Sequence, residues 1–355
     1  MEKVYPINIT IPERIDLLGL ARPQLEDLFA SLGEKPFRAK QLLKWIYRHR
    51  FRDFEPMTDM PIPLRARLAE NFSIGRLKIA EKITSSDGAT KLLFTLNDNT
   101  LIEAVHIPAE ERNTACLSTQ VGCKMTCRFC ATGKLGFKRN LTSGEIVGQF
   151  LSLEEELGIK LSNVVLMGMG EPLQNLDEVI KALDIFSDDN AIALGHRRVT
   201  LSTVGIPDKI DELLQSGMKP KLAISLNAPD DKLRSHLMPK ASKISPIRDI
   251  LLAASQYANM TARWFTVEYV LLKDVNDSLS HADRLAELLF DLPCKINLIR
   301  YNEVPGLGFS TPTNTSVEKF LSYLCSAGLT ATLRQSKGQK ISAACGQLAA
   351  TKSNI

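Results

Sequence analysis

Residues 115–130 read ACLSTQVGCKMTCRFC, and the three closely spaced cysteines in this stretch decide how the rest of the chain is interpreted. The apolar beginning predicts a short β-strand, and the run from Cys123 to Cys130 predicts a loop directly after it. The cysteines follow a CxxxCxxC pattern with Phe129 just before the last of them. Three thiols in one loop after a strand indicate a metal or cluster site at a strand end.

Downstream of Thr114 the sequence alternates between short apolar runs and helical stretches. The apolar runs include NVVLMG, RVTLST, LAISL, WFTVEYVLL, KINLI and TATLR, and amphipathic segments such as SGEIVGQFLSLEEELG separate them. Six or seven strands in this alternation predict parallel βα units wound in a right-handed sense. We therefore expect an α/β fold whose main part, residues 114–335, is a partial TIM-like (βα)6 barrel. Functional groups should then lie at the C-terminal ends of its strands.

The bulk composition is typical of a globular intracellular protein. The 355 residues are 44% hydrophobic and 24% charged, which allows a full core. The first twenty residues contain charges and no continuous apolar run of signal-peptide or membrane-spanning length. Seven cysteines, three of them in one loop, fit metal ligation in a reducing compartment better than a disulfide framework. We expect a cytoplasmic protein with no membrane partner.

Residues 1–76 predict a small helical domain with a basic surface. RPQLEDLFASLG, KPFRAKQLLKWIYRHRF and PLRARLAENF each read as helical. The middle segment concentrates seven cations with almost no opposing charge: Lys35, Arg38, Lys40, Lys44, Arg48, Arg50 and Arg52. The aromatic residues between them are Phe37, Trp45, Tyr47 and Phe51. With a net charge of +4, this pattern suits RNA phosphate contact and base stacking; a solvated basic face over an aromatic core is the alternative.

Two shorter segments complete the predicted organisation. Residues 77–113 contain alternating runs such as KLLFTL and LIEAVHI separated by SSDGAT and NDN, which predict a β-hairpin linker. Residues 336–355 form a tail of small residues that contains Cys345. Such a tail is an unusual place for a structural cysteine, so Cys345 is a candidate for chemistry.

The CxxxCxxC loop favours a 4Fe-4S cluster. Thiolates from Cys123, Cys127 and Cys130 can hold three irons and leave the fourth iron open to an outside ligand. The alternative is zinc, but a structural zinc site needs four closed ligands, and the fourth would have to come from Cys116 or a distant residue. The motif resembles that of the radical S-adenosylmethionine (SAM) superfamily in full, which implies SAM as the ligand of the open iron.

Polar groups at later strand ends are candidates for binding SAM. The second strand ends in MGMGEP, where glycines such as Gly170 allow close backbone approach and Glu171 can accept an ammonium group. The candidates for binding ribose or adenine close the following strands: Ser202, Ser225, Leu226, Asn227 and Asn302. Each taken alone is more often a turn or cap residue, and only their shared position favours a site.

Three longer stretches make the resemblance specific. CLSTQVGCKMTCRFCATGKLGFKRNLTSGEIVGQ, MGMGEPLQN and AACGQL around Cys345 resemble the RlmN/Cfr family of RNA adenine methyltransferases, and the likeness covers nearly the whole chain. The resemblance implies a helical N-terminal domain joined to a partial TIM-like barrel. It also implies methylation of an adenine in the peptidyl-transferase centre of 23S rRNA and, in some members, of an adenine next to the tRNA anticodon.

The two branches of the family differ in the carbon that they methylate. QVGC before the first cluster cysteine and GEP after the second strand resemble the RlmN branch, whereas Cfr sequences read QCGC and GEA. Methylation at C2 is therefore the expectation, and methylation at C8 is the alternative. The resemblance further implies two SAM molecules per turnover, a monomer and an electron donor such as flavodoxin.

The resemblance also assigns chemical roles to three residues. Because C2 of adenine is not nucleophilic, the family uses a radical route in which a first SAM methylates Cys345 and a second SAM activates that methyl group. Glu103 then corresponds to the proton acceptor. Cys116 corresponds to the thiol that releases the product by closing a transient disulfide with Cys345. From the residues alone, the alternatives are that Cys116 fills the core and that Glu103 lies on the solvent side of its strand.

Two departures and two spare cysteines stand outside this pattern. The segment Lys337–Ser342 carries lysines and neutral groups where the family often has aspartates, which leaves the anchoring of the tail open. Asn227 stands where some members have histidine. Cys294 and Cys325 match no family role, and their apolar periodic positions predict core packing.

Two other classes of function remain open from the sequence. One is a non-catalytic zinc protein that binds RNA through the same basic helices and cysteines. The other is a radical SAM enzyme for a small molecule or peptide, against which the basic helical domain and Cys345 argue. The colour of the protein purified without oxygen distinguishes the first class from a radical SAM enzyme, because an iron-sulfur protein is brown and a zinc protein is colourless.

Overall fold

The computed structural model describes residues 14–350, and it begins with the predicted helical domain. Its elements are β1 (Ile15–Asp16), α1 (Arg22–Ser31), α2 (Phe37–Leu43) with a π-helical continuation over Lys44–Arg48, α3 (Ile62–Asn71) and β2 (Phe72–Ser73). Leu25 and Phe29 on α1 pack with Leu42 and Ile46, all fully buried. The expectation about the first twenty residues falls largely on residues 1–13, outside the described range.

The aromatic residues of this domain divide between core and surface. Tyr47 is buried, and its hydroxyl accepts a hydrogen bond from Gly19 N at 3.0 Å. Trp45 is half-buried and donates from its indole N–H to Asp59. Phe37 and Phe51 remain exposed. Tyr47 therefore supports the domain from inside, while Phe37 and Phe51 present rings at the surface.

Three of the seven cations have acidic partners. Arg50 pairs with Glu154, and Arg52 Nη2 lies 2.7 Å from Glu155 Oε2. Arg38 pairs with a glutamate of its own domain at 3.5 Å. The segment from Lys35 to Arg52 itself holds no acidic residue, as the sequence shows, but folding brings Glu154 and Glu155 from a distant helix against two of its arginines.

The remaining strands form one large sheet and one small hairpin. In chain order they are β3 (Lys78–Thr84), β4 (Thr90–Thr95), β5 (Leu101–Ala109), β6 (Arg112–Cys116), β7 (Gln120–Gly122), β8 (Phe137–Asn140), β9 (Asn163–Leu166), β10 (Val199–Thr203), β11 (Lys221–Ser225), β12 (Phe265–Leu271), β13 (Cys294–Arg300) and β14 (Ala331–Arg334). β7 and β8 pair with each other and bracket the cysteine loop. All the others form one ten-stranded sheet, in which β6 and β9 to β14 are parallel neighbours in chain order.

Helices connect the parallel strands. They are α4 (Ala131–Lys134), α5 (Ser143–Leu157), α6 (Leu176–Ser187), α7 (Pro207–Gln215), α8 (Asp231–Leu237), α9 (Pro239–Ile244), α10 (Ile247–Thr261), α11 (Leu279–Leu289) and α12 (Asn314–Ser326). At the start of α5, Thr142 and Glu145 form a reciprocal capping box. Six βα units followed by a seventh strand confirm the predicted partial (βα)6 barrel. Within residues 14–350, no helix is both long and apolar enough to cross a membrane.

The segment predicted as a linker continues the barrel sheet. β3, β4 and β5 are antiparallel neighbours, and β5 pairs with β6 so that Val105 lies opposite Cys116. Leu92 and Phe94 on β4 are fully buried. Because the hairpin shares the hydrogen bonds of the barrel, Glu103 on β5 is held in the same rigid sheet as the barrel strands.

The two cysteines expected in the core have different environments. Cys294, at the beginning of β13, is buried. Cys325 lies on α12 and is exposed, so the prediction of core packing is wrong for this residue. Its position in the helical repeat places it on the solvent side of α12, whereas Leu324 beside it is fully buried.

Candidate active site

The three motif cysteines lie around one cavity at the C-terminal ends of the barrel strands. Cys123, Cys127 and Cys130 line it together with residues from the ends of β9 to β13. The loop that carries them is compact, since Cys130 N donates to Cys127 O at 3.2 Å. Gly133 permits this packing, because a Cβ there would lie 2.9 Å from the same carbonyl oxygen.

These thiols need a neighbouring cation to ionise. Burial raises the pKa of Cys123 to about 12 and raises the pKa of Cys127 well above its ordinary value. A bound metal centre supplies the positive charge that turns such thiols into thiolates. Within the described residues, no three His, Cys, Asp or Glu side chains converge on a single metal-ion position. A 4Fe-4S cluster holds each thiolate on a separate iron, so its ligands stand apart.

A buried arginine indicates that the site accommodates negative charge. Arg234 on α8 is fully buried, and no ion pair of residues 14–350 involves it. Its Nη2 donates to Val204 O at 2.5 Å, and its Nε has no partner. Burial lowers the pKa of its guanidinium group, while Cys127 raises it. A buried cation without an anion is costly, so Arg234 and the three thiols together fit an anionic iron-sulfur centre.

Glu171 faces the cavity from the loop after β9. It is 2% exposed, and burial raises the pKa of its carboxyl group to about 7. Its carboxylate accepts hydrogen bonds from Leu173 N at 3.1 Å and Val204 N at 2.9 Å. Gly170 has a φ of +108°, and a Cβ there would lie 2.7 Å from Gln120 Cβ. The loop therefore needs glycine, and it brings to the cavity a carboxylate suited to an ammonium group.

The predicted ribose- and adenine-binding residues have unequal positions. Ser202 and Ser225 line the cavity with their hydroxyl oxygens 3.2 Å apart. Asn227 also lines it, but its Oδ1 already accepts a hydrogen bond from Val270 N at 2.9 Å. Leu226 is fully buried and is not a lining residue. Of these four residues, the two serines offer hydroxyl groups to a ligand.

Asn302 does not line the cavity; it lies in the loop after β13 and contacts the tail. Its Nδ2 donates to Cys345 O at 3.1 Å, and its Oδ1 accepts from Gln339 Nε2 at 2.6 Å. Both hydrogen bonds join the loop after β13 to residues near the C-terminus. The structure therefore shows Asn302 as an anchor of the tail.

Hydrogen bonds hold the tail on both sides of Cys345. Gly338 N donates to Asp87 Oδ2 at 2.8 Å, and Lys337 Nζ donates to a carbonyl oxygen of β5 at 2.7 Å. Beyond Cys345, Gly346 O accepts a hydrogen bond from Ala131 N at 2.8 Å at the start of α4. The hairpin and the cysteine loop thus provide the anchoring that the sequence left open for Lys337–Ser342.

Cys345 is brought into the cavity that the motif cysteines line. Cys345 is an exposed residue, and the protein atoms packed around its sulfur raise the pKa of its thiol to about 11. Cys116 ends β6 and is buried; burial and the nearby Cys345 raise its pKa to about 12. Both thiols are free.

Glu103 is buried against the tail. It is 1% exposed, which contradicts the alternative that it faces solvent. Its Oε1 pairs with Lys91 Nζ at 2.8 Å, and its Oε2 accepts hydrogen bonds from Ala349 N and Ala350 N at 2.9 and 3.0 Å. The carboxylate is not among the residues that line the cavity with Cys345. Both carboxylate oxygens of Glu103 are therefore occupied, one by Lys91 and the other by the tail backbone at Ala349 and Ala350.

One acidic residue of the cavity was missed by the sequence analysis. Glu268 faces the cavity from β12 and is 5% exposed, and burial raises its pKa. Asn297 Nδ2 on the neighbouring strand donates to it at 3.2 Å. The signal was present as a single acidic residue inside the apolar run FTVEYVL.

Comparison with known proteins agrees with this geometry. The family model described as ribosomal RNA large subunit methyltransferase N-terminal domain matches residues 15–74, and the radical SAM superfamily model matches residues 117–286. The chain is 42% identical over 350 residues to the dual-specificity RNA methyltransferase RlmN of Alcanivorax borkumensis, with 96% of this chain and 91% of that protein covered.

Two further proteins give the same result. The probable dual-specificity RNA methyltransferase RlmN of Rhodopirellula baltica is 43% identical over 348 residues, which covers 98% of this chain and 94% of that protein. A radical SAM methyltransferase of known structure from Sphaerobacter thermophilus superposes with a TM-score of 0.89 at 40% identity, covering 95% of this chain and all of that one. The basic helical domain and the three motif cysteines lie inside the family-model matches, and the curated relatives match nearly the full length. The chain therefore belongs to the RlmN family of radical SAM methyltransferases.

Proposed function

We propose that this protein methylates C2 of an adenine in the peptidyl-transferase centre of 23S rRNA and C2 of an adenine next to the tRNA anticodon. The observation that carries the proposal is the presence of Cys345 in the cavity that the three motif cysteines line. Relatives named dual-specificity RNA methyltransferases and the match of the N-terminal domain support RNA as the substrate class. QVGC and GEP favour C2 over C8.

The cavity residues divide into two binding groups. Cys123, Cys127 and Cys130 would hold a 4Fe-4S cluster, while Glu171 and the serines at 202 and 225 would hold SAM. When bound, the cluster and SAM supply a methyl group and radical chemistry, with two SAM molecules used per turnover. Glu171 would bind the amino group of SAM, because the ammonium charge would form a charge-assisted hydrogen bond with its buried carboxylate.

Three residues then handle the methyl group and the proton. Cys345 carries the methyl group on its sulfur and becomes bonded through that carbon to the base. Glu103 accepts the proton that the base loses, for which the tail backbone at Ala349 and Ala350 must first withdraw from its carboxylate. Cys116 attacks the sulfur of Cys345; an S–S bond forms as the C–S bond breaks, and the product carbon takes the electron pair and a proton.

The helical domain provides the RNA contact surface. Lys35, Lys40 and Lys44 are exposed, and none of them forms an ion pair with a described residue. Phe37 beside them is exposed and available for stacking. We assign RNA binding to residues 1–76 and the linking hairpin to residues 77–113. The barrel then comprises residues 114–335, and the tail that carries the methyl group comprises residues 336–355. The enzyme acts as a cytoplasmic monomer and takes electrons from a donor such as flavodoxin.

The test is an anaerobic reaction of the iron-loaded protein with SAM, a reductant and a fragment of 23S rRNA. Nuclease digestion and mass spectrometry against synthetic 2-methyladenosine and 8-methyladenosine identify the product. We expect 2-methyladenosine from the unmodified protein and from the Cys325→Ala control, and none from Cys345→Ala. A product of 8-methyladenosine would assign the C8 reaction, and a colourless protein that holds zinc would leave only RNA binding.

A further inference from the structure

Two of the cluster cysteines line a second depression, separate from the cavity that contains Cys345. An open depression on the outer surface is lined by Cys127 and Cys130, by Arg128 and Lys134, and by Phe309. We propose that this outer basic depression docks an acidic one-electron carrier protein, which reduces the cluster through it. The inference rests on the proposed function, because an electron must enter the enzyme before the radical reaction.

The position of the depression suits electron entry. Cys127 and Cys130 line both the inner cavity and the outer depression, so they lie between the two spaces. Both are partly accessible, whereas Cys123 is buried. Electron transfer requires close approach of donor and acceptor, and the ligands of the cluster are nearest to the surface here. Neither Cys345 nor Glu103 lines the depression, although Lys134 also lines the neighbouring pocket that contains Glu103.

The charge of the depression selects an acidic partner. Arg128, Lys134 and His236 are its titratable side chains besides the cysteines, and all three are exposed. No acidic residue is among the lining residues, and neither Arg128 nor Lys134 forms an ion pair within residues 14–350. Arg128 Nη1 lies 3.4 Å from His236 Nδ1, which joins the cysteine loop to α8. A positive patch of this kind steers an acidic protein toward it.

The depression also has apolar lining residues. Leu307 and Phe309 lie in the loop after β13 and are partly accessible, and Phe309 packs edge-on against Tyr301 with ring centroids 6.2 Å apart. Apolar residues next to positive charges are compatible with the low-area interfaces that electron carriers form. RNA is also acidic, but it must reach Cys345, which this depression does not contact.

The experiment compares two reductants on the iron-loaded protein with SAM bound. One is a reduced flavodoxin, which is an acidic carrier protein, and the other is reduced methyl viologen, a small cation that needs no docking surface. Cluster reduction is followed by loss of visible absorbance in the unmodified protein, in Arg128→Glu, in Lys134→Glu and in the control Lys319→Glu on the outer helix α12. Iron content and RNA affinity are measured for each protein.

We expect Arg128→Glu and Lys134→Glu to slow reduction by flavodoxin by about tenfold at low salt and to flatten its salt dependence. Their reduction by methyl viologen, their iron content and the behaviour of Lys319→Glu should be unchanged. Normal flavodoxin rates with weakened RNA binding would show that the depression is an RNA surface and overturn the proposal. A protein that bleaches with neither reductant would instead contradict the proposed function.

Discussion

The carboxamide Nδ2 of Asn302 donates a hydrogen bond to the carbonyl oxygen of Cys345 at 3.1 Å. This bond joins the loop after β13 to the tail residue that we assign as the methyl carrier. Cys345 lies in the cavity with the motif cysteines. The Asn302 side chain therefore helps to position the sulfur of Cys345 by binding the tail and not by binding the cofactor.

Replacement of Asn302 with alanine should loosen the tail. The change removes two hydrogen bonds, each of which contributes about 1 kcal/mol. We expect faster amide exchange over residues 339–348 and a smaller fraction of purified protein methylated at Cys345, both measured by mass spectrometry. Asn259→Ala on the exposed surface of α10 is the matched control. Equal exchange in the two variants would show that the tail is held by its other contacts.

Replacement of Cys116 with alanine should trap an intermediate. Cys116 is buried near Cys345, and our proposal makes it the thiol that releases the product. We expect Cys116→Ala purified from cells to carry covalently attached RNA, visible as a nuclease-sensitive increase in mass. Cys345→Ala and the double variant should carry none. If the Cys116→Ala protein is inactive but carries no RNA, the proposed role of Cys116 in product release is contradicted, and Cys116 only packs in the core.

Removal of any motif cysteine should abolish the cluster. Three thiolates are needed to hold three irons, so Cys123→Ala, Cys127→Ala or Cys130→Ala should lose iron and the brown colour. RNA binding should persist, because the basic helices lie outside the cavity that the three cysteines line. Cys294→Ala, a buried cysteine outside the cavity, is the control. Full iron content in any of the three variants would contradict the assignment.

Arg234 should tune the cluster electrostatically. Its buried guanidinium group has only carbonyl and hydroxyl partners, and its positive charge favours the more reduced, more negative cluster. Arg234→Met should therefore lower the reduction potential, while Arg234→Lys should restore most of the loss. Redox titration of the iron-loaded proteins by electron paramagnetic resonance measures both values. Identical potentials in all three proteins would limit Arg234 to packing.

The exposed lysines of the helical domain should contact RNA phosphates. Replacement of Lys35, Lys40 and Lys44 with glutamine should weaken RNA binding and reduce the salt slope by about 0.7 to 0.9 for each lost contact. Arg52→Gln is the control, because its guanidinium group is already paired with Glu155 at 2.7 Å. The measurement is RNA affinity across a range of salt concentrations. An unchanged slope in the triple variant would mean that this face is merely solvated.

Local patterns in the sequence were sufficient for the architecture and for part of the site. The helical repeat around Leu42 and Ile46 and the strand-helix alternation after Thr114 predicted the two main parts of the fold. The CxxxCxxC spacing predicted a shared site, and the three cysteines do line one cavity. Strand-end positions identified Glu171, but they did not separate Ser202, near the end of β10, from Asn302, just beyond β13, and only Ser202 lines the cavity.

The sequence by itself determined which elements form and which cysteines stand together, because strand and helix periods and a loop of eight residues depend on neighbours close in the chain. Only the tertiary structure decided that Arg50 meets Glu154, that Glu103 binds the tail backbone at Ala349, and that Cys345 lines the cavity. These contacts join residues separated by 100 positions or more. They depend on how whole elements pack, and no local pattern encodes that.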